Sequence, residues 1–136
     1  MENMYINHWA VLVCAASNLV VGAIWYSPLL FYKAWMKENN LTEEIVKQKF
    51  NLAKTYGISF ILSLIISYNL AFFLGDDKTT ASWGAMAGFL AGFGFSALIF
   101  AVVALFEQRS WKYILINGGY ITVYFTLIGF ILGAWR

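Results

Sequence analysis

Four long stretches without a charged residue constrain this chain more than any other feature. They are residues 3–32, 55–75, 79–106 and 113–135, and they hold 102 of the 136 positions, while all sixteen formal charges fall in the other 34. A helix needs about 20 mostly apolar residues to cross a bilayer, and a charge at its centre costs roughly 2.5–3.5 kcal/mol. The pattern therefore predicts four membrane-spanning helices.

The predicted fold is all-α: an integral membrane four-helix bundle in a single domain over residues 1–136. The predicted spans are His8–Phe31, Thr55–Gly75, Ser82–Phe106 and Tyr113–Trp135. We interpret the first as a retained helix rather than a signal peptide, since the residues before it carry no positive charge.

Composition argues against several functional classes. Only 12% of the residues are charged, against about 25% in a typical soluble domain. The net charge of +2, without a basic cluster among aromatic residues, does not indicate nucleic-acid binding. A single cysteine, Cys14, and a single histidine, His8, leave no metal-ligand set of the usual kind, and hydrolase and phosphate-loop motifs are missing. We expect no cofactor and no enzymatic activity.

The basic residues predict the orientation of the chain in the membrane. Seven of the nine lie between the first and second spans or between the third and fourth, and the other two are Lys78 and Arg136. The positive-inside rule then places both basic loops in the cytoplasm and both termini outside. We expect a multi-pass protein of the bacterial inner (cytoplasmic) membrane.

The segment between the first two spans predicts a short amphipathic cytoplasmic helix over residues 41–54. Asn40 followed by Glu43 fits a capping box. Apolar residues fall on one half of this helix and charged ones on the other, which favours a position on the inner leaflet. Whether the helix continues into the second span, with a bend at Gly57, is open.

Each predicted span carries small residues at intervals of four, a spacing that marks faces of close helix packing in lipid. The residues that carry this pattern most clearly are Ser59, Ser63 and Ser67 in the second span and Gly84, Gly88 and Gly92 in the third. Two interpretations are open: the rows pack within one chain, or they form a homo-oligomer, for which the glycine row is the best candidate.

Uncharged polar and aromatic side chains within the spans are the candidate lining of a cavity. They are Asn18, Trp25, Asn117, Tyr120 and Tyr124. An amide that faces lipid is costly, so both asparagines should face protein or a cavity. The alternative role is a hydrogen bond between helices, worth about 0.6 kcal/mol on average.

A second group of candidate residues lies at the predicted cytoplasmic ends of the helices. Glu107, Arg109, Lys112 and Lys33 are positioned to form an ion pair at an inner mouth. Such a pair either fixes the turn between two spans or contributes to a site for an anion or a lipid headgroup. Nearby, Pro28 has no N–H to donate, which predicts a kink or early end of the first helix.

Two stretches of the chain resemble a known family. Trp25–Phe31 with Lys33–Trp35 resembles the first helix of a bacterial membrane family catalogued as domain of unknown function 1761. The second half of the chain is similar to the same family at Leu105–Glu107, Arg109, Trp111–Lys112, Ile116–Asn117, Gly119–Tyr120 and Gly133–Trp135. The chain departs from the family at Tyr32, where a small residue is frequent, and at Gln108 and Ser110, where glycine and proline are frequent. The resemblance implies a small integral membrane protein without an assigned substrate, cofactor or reaction.

The functional hypothesis is a homo-oligomeric passive conduit or a small-molecule or lipid binder. Its expected partners are the bilayer, further copies of the chain and a lipid or small-molecule ligand. The alternative is a structural or accessory membrane subunit, in which the polar residues only fix how the helices pack. A lipid-modifying enzyme that uses Glu107 is disfavoured, because Ser110 is the only nucleophile in that loop.

Overall fold

The computed structural model describes residues 4–136, which form six helices and contain no strand. The helices are α1 (His8–Trp25), α2 (Tyr32–Glu38), α3 (Glu43–Lys49), α4 (Leu52–Phe73), α5 (Ala81–Phe106) and α6 (Trp111–Ala134). The predicted all-α class is confirmed. Four helices, α1, α4, α5 and α6, are long and apolar enough to cross a membrane.

Side-chain caps set the start of five helices. The residue before α1, α3, α4, α5 or α6 accepts a hydrogen bond from a backbone N–H of the first turn, which would otherwise lack a partner. These caps are Asn7, Thr42, Asn51, Thr80 and Ser110.

The predicted capping box at Asn40 and Glu43 is wrong. Asn40 adopts a left-handed conformation with φ 54°, which asparagine tolerates better than most residues. Thr42 is the cap instead, and its hydroxyl oxygen accepts from the N–H of Ile45 at 3.3 Å. The helix that begins there ends at Lys49, because Phe50 and Asn51 are extended. It is therefore shorter than residues 41–54 and separate from α4, which passes Gly57 as regular helix.

The first helix ends before Pro28, as the missing N–H of this proline predicts. It ends at Trp25 rather than at Phe31, the predicted end of the span. A series of turns follows, in which Phe31 N–H donates to the Trp25 carbonyl at 3.1 Å. These turns lead into α2, a short helix that the sequence pattern did not predict.

The helix α6 is the centre of the bundle. It packs against α5 on one side and against α1 on the other, while α4 packs mainly against α1. A buried core forms where α1, α4 and α6 meet, close to the end of the bundle at which α1 begins and α6 ends. Its members are Ala10, Val11, Cys14, Leu70, Ala71, Leu74, Tyr124, Ile128 and Leu132.

Glycines bring the backbones of α5 and α6 into direct contact. A Cβ atom added at Gly84 would overlap the Gly129 carbonyl oxygen, and one at Gly88 would overlap the Phe125 carbonyl oxygen. At Gly92 the Cβ atom of Phe125 occupies the space that a side chain on the glycine would need. This glycine begins a π-helical segment of α5, Gly92–Ala97. Of the two interpretations of the glycine row, the geometry matches packing within one chain.

A candidate ligand cavity

A cavity of about 350 Å³ lies between α1 and α4, with α2 and α3 alongside. Two of the predicted lining residues, Asn18 and Tyr120, border it. The complete lining consists of Asn18, Leu19, Gly22, Tyr26, Tyr32, Trp35, Val46, Phe50, Leu52, Thr55, Tyr56, Ser59 and Tyr120. Most of the surface of this wall is apolar or aromatic, and six of the lining residues carry a hydroxyl group and one carries an amide.

One face of α1 forms a wall of the cavity. Asn18, Gly22 and Tyr26 border it, and their spacing of four places them one turn apart on the same face of this helix region. A Cβ atom added at Gly22 would contact only Tyr120, at 3.7 Å from its hydroxyl oxygen. The missing side chain at Gly22 therefore leaves room between α1 and α6.

The amide of Asn18 joins α1 to α4. Its nitrogen donates to the hydroxyl oxygen of Ser63, which in turn donates to the Ser59 carbonyl at 2.7 Å. Because the only proton of the Ser63 hydroxyl is used in this way, the amide must present its nitrogen to Ser63. The carbonyl oxygen of the Asn18 side chain is then left buried without a hydrogen-bond partner.

Aromatic rings hold the short helices against the cavity. Trp35 of α2 lies 6.1 Å from Tyr26 and 6.0 Å from Phe50, measured between ring centroids. It also stacks on Tyr32 at 6.3 Å. These contacts hold α2 and Phe50, the residue after α3, beside the cavity. Neither α2 nor α3 is long enough to form a stable helix by itself.

Asn117 supports the cavity without bordering it. The Tyr26 hydroxyl donates to the side-chain oxygen of Asn117 at 2.5 Å, and the Asn117 amide nitrogen donates to the Tyr113 carbonyl at 3.0 Å. The two interactions fix the ring of Tyr26, which forms part of the wall. Asn117 therefore acts on the cavity through Tyr26.

Trp25 and Tyr124 likewise lie outside the lining. The Trp25 indole N–H donates to the Ile116 carbonyl at 2.8 Å, and its ring occupies the space beside Gly119. Tyr124 is buried in the core, where its hydroxyl donates to the Cys14 carbonyl at 3.2 Å. Both residues connect α1 to α6.

Arg109 is held by the end of α2. Its guanidinium group donates to the Glu38 carbonyl at 3.2 Å and to the Asn39 side-chain oxygen at 2.8 Å, and it lies 3.6 Å from the centre of the Tyr113 ring. The other members of the predicted mouth group, Glu107, Lys112 and Lys33, are exposed. Exposed ion pairs stabilise little, whereas Arg109 makes defined contacts that tie α2 to α6.

The opposite end of the bundle is closed by polar contacts around Asp76. Its carboxylate accepts from the Thr79 hydroxyl at 2.8 Å and from the Lys78 N–H at 2.9 Å. These hydrogen bonds, that of Thr79 first, lower the pKa of Asp76. Arg136 donates to the carbonyls of Leu74 and Asp76, so the last residue is attached to the loop between α4 and α5.

Several cavity residues were not identified from the sequence. Gly22 and Tyr26 continue the face of Asn18, and this spacing was the available signal. The sequence contains no such signal for Trp35 and Phe50, because these residues reach the cavity only through the fold of α2 and α3. The lining contains no carboxylate, thiol or imidazole group.

Residues 9–133 match a family described as Protein of unknown function (DUF1761). The chain belongs to this family. The match extends from α1 into α6 and so includes every residue of the cavity lining. No curated protein and no solved structure matches the chain. The family description names no activity.

Proposed function

We propose that this DUF1761 protein is a membrane-embedded binder of one small hydrophobic molecule or lipid. The cavity between α1 and α4 carries this proposal. Its volume of about 350 Å³ lies within the range of roughly 300–1,000 Å³ of small-molecule sites, and its wall combines mostly apolar surface with a few polar groups, as such sites do.

The packing beyond the cavity supports binding over conduction. Cys14 and Ser67 lie one helical turn beyond Asn18 and Ser63, toward the end of the bundle at which α1 begins, and both are fully buried. Val11, Leu74 and Ile128 fill the space that follows. A cavity that ends against a packed core can hold a molecule, whereas a conduit needs a continuous path.

The residues that border the cavity follow one another within one chain, which supports binding by a single copy. The glycine row that was the best candidate for a homo-oligomer is occupied by α6. We propose that the binding unit is one chain and that further copies, where they associate, do so through other lipid-facing surfaces.

The proposed setting is the bacterial inner membrane, with both termini outside. Its support is the distribution of basic residues, of which seven in nine lie at the α2–α3 end of the bundle. The cavity then opens at the level of the cytoplasmic leaflet. A membrane-impermeant thiol reagent should label a Lys78→Cys variant in intact cells and leave Lys47→Cys unlabelled; the reverse pattern would contradict this orientation. Cys14 is buried in both variants.

Native mass spectrometry of protein extracted gently from its membrane tests the binding proposal. We expect a retained organic molecule on the wild-type chain and its loss in Gly22→Leu, whose side chain fills the cavity. Gly94→Leu is the matched control, because a Cβ atom at Gly94 meets nothing within 4 Å. Equal retention by both variants, or no retained molecule on the wild type, would refute the proposal.

A further inference from the structure

We infer that the molecule bound in this cavity is uncharged and has an acceptor group, such as a carbonyl, that accepts hydrogen bonds from the hydroxyl groups of Ser59 and Tyr120. The inference rests on the proposed function and narrows it to a chemical class. Such a molecule joins one polar acceptor group to an apolar body.

The hydroxyl groups of Ser59 and Tyr120 are the first observation, because both residues border the cavity. Within residues 4–136, neither hydroxyl group makes a hydrogen bond to another residue. In this part of the chain, the Asn18 oxygen is the one fully buried polar side-chain atom without a partner. The oxygens of Ser59 and Tyr120 are therefore unpaired but keep accessible surface, which a molecule in the cavity can contact.

The serine differs from other hydroxyl-bearing residues inside the long helices. Ser63, Thr122 and Thr126 each donate to the carbonyl four residues earlier in the same helix, at 2.7, 2.9 and 2.8 Å. This carbonyl is a usual partner of a serine or threonine hydroxyl where water is absent. In the described chain Ser59 makes no such bond to the Thr55 carbonyl, so its proton remains available for a ligand.

The two hydroxyl groups lie at the same level of the bundle. The helices α1 and α4 run in opposite directions, and Asn18 of α1 contacts Ser63 of α4. One turn further along, Gly22 therefore lies opposite Ser59. The Tyr120 hydroxyl oxygen reaches the same place, since a Cβ atom added at Gly22 would lie 3.7 Å from it. A carbonyl oxygen beside Gly22 has two lone pairs, one for the donor on α4 and one for the donor on α6.

The lack of charge in the wall is the second observation. None of the residues that border the cavity is Asp, Glu, Lys or Arg. The nearest basic residues along the chain, Lys33, Lys49 and Lys54, are exposed. An ionised group buried without a partner is strongly disfavoured. The wall therefore discriminates against a carboxylate or a phosphate, although both are strong acceptors.

The depth of the two hydroxyl groups makes the same argument from the membrane side. Ser59 lies seven residues after Leu52, the start of α4, and Tyr120 nine residues after Trp111, the start of α6. These separations correspond to about 10 and 13 Å along the helices. A charged group that enters to this depth leaves the headgroup region at high cost, whereas an uncharged carbonyl group is acceptable there.

The aromatic part of the wall supplies the apolar contacts. Tyr26, Trp35 and Phe50 border the cavity, and rings of this kind offer large, rigid surfaces to an apolar body. The acceptor group then contacts Ser59 and Tyr120 while the body packs against the rings. Both halves of such a molecule thus find matching surface.

Three probes of matched shape test the inference on the full-length protein in one detergent. Para-octylacetophenone is a neutral ketone, para-octyl-α-methylstyrene has a CH₂ group in place of its carbonyl oxygen, and para-octylbenzoate is anionic. The protein is immobilised on a resin, and the retained probe is quantified at increasing probe concentration. Gly22→Leu, whose side chain fills the cavity, provides the background. The ratio of ketone affinity to alkene affinity is compared between variants, because the partition of each probe into micelles cancels in this comparison.

We expect Tyr120→Phe and Ser59→Ala each to lower this ratio about five- to tenfold, the effect of one hydrogen bond. Tyr5→Phe removes the same group at an exposed position outside the lining and should keep the wild-type ratio. The benzoate should give no signal above that of Gly22→Leu.

The two test variants only remove an oxygen atom that has no partner in the described chain, so we expect both to fold as the wild type does. A wild-type ratio in Tyr120→Phe or in Ser59→Ala, or binding of the benzoate as tight as that of the ketone, would overturn the inference. A signal equal to that of Gly22→Leu for every probe would instead contradict the proposed function itself.

Discussion

The amide of Asn18 on α1 donates to the hydroxyl of Ser63 on α4, and this bond uses only half of the amide. The serine is fully satisfied, since it also donates to the Ser59 carbonyl. The asparagine is not, because its oxygen lacks a partner. The two residues therefore differ in what their removal leaves behind.

This asymmetry predicts that Ser63→Ala destabilises the protein more than Asn18→Leu does. The alanine leaves both ends of a buried amide unpaired, at a cost of about 1–3 kcal/mol. The leucine removes the whole amide and leaves Ser63 paired with Ser59, so we expect a change within about 0.5 kcal/mol of zero. Unfolding in mixed micelles with increasing denaturing detergent measures both. A larger loss in Asn18→Leu than in Ser63→Ala would contradict the hydrogen-bond pattern described.

The contact between α5 and α6 predicts opposite effects for two glycine substitutions on the same helix. A Cβ atom at Gly88 overlaps the carbonyl of Phe125, whereas one at Gly94 meets nothing within 4 Å. We expect Gly88→Ala to lower the free energy of unfolding by about 1–3 kcal/mol through overpacking. Gly94→Ala should leave it unchanged or raise it by up to about 1 kcal/mol, because alanine is the better helix former. Thermal unfolding of the two variants in one detergent gives the comparison.

The turn between α5 and α6 contains a strained residue. Gln108 has φ 60°, a left-handed conformation that disfavours a side chain. We expect Gln108→Gly to stabilise the protein by about 0.5–1 kcal/mol, since glycine adopts this conformation without steric cost. Gln108→Ala keeps a Cβ atom and should bring no such gain. If both variants change the midpoint of thermal unfolding equally, strain at this position is not the cause.

The hydrogen bonds to Asp76 predict a pH dependence of stability. They lower the pKa of its carboxyl group below the unfolded value of about 3.9. A lowered pKa means that the folded state favours the ionised form. The stabilisation is therefore complete above the unfolded pKa and is lost as the pH falls through the folded pKa. Thr79→Val removes the main donor, so its stability should fall less than that of the wild type between about pH 5 and pH 2. The midpoint of unfolding at each pH measures this difference, and an unchanged profile would contradict the assigned role of Thr79.

The four long helices could be predicted from the sequence because the cost of burying a charge in lipid leaves a strong pattern. The ends of these helices could not be predicted where they depend on the backbone conformation that a single residue imposes. Pro28 ends α1 before the apolar run ends, and the left-handed Asn40 moves the start of α3 to Glu43. The short helix α2 carries no comparable pattern, since it is held in place by Trp35 and Arg109 contacts with distant parts of the chain.

The cavity could be predicted only in part for the same reason. A polar side chain within an apolar span is expected to face protein, although Asn69 of α4 is exposed. This rule selected Asn18 and Tyr120, which border the cavity. It also selected Trp25, Asn117 and Tyr124, which face protein but hydrogen-bond neighbouring helices instead. The difference is set by the rotation of each helix about its axis, which depends on packing between helices and not on the sequence of one helix alone.

The contacts of Arg109 predict that it anchors α2 over the cavity. Its planar group reaches the Glu38 carbonyl and the Asn39 amide oxygen together, at 3.2 and 2.8 Å. Both hydrogen bonds come from one guanidinium nitrogen, Nη2, and the guanidinium plane also lies 3.6 Å from the centre of the Tyr113 ring. The lysine side chain is shorter and has no planar group to place over this ring, so it loses the reach and the aromatic contact. In Arg109→Lys we therefore expect faster amide hydrogen exchange in α2 while exchange in α6 remains slow, together with weaker retention of the bound molecule. Lys112→Ala, at an exposed position beside the same turn, serves as the control and should match the wild type. Unchanged exchange in α2 of Arg109→Lys would show that the aromatic contacts of Trp35 suffice to hold this helix, and that the cavity is covered without the arginine.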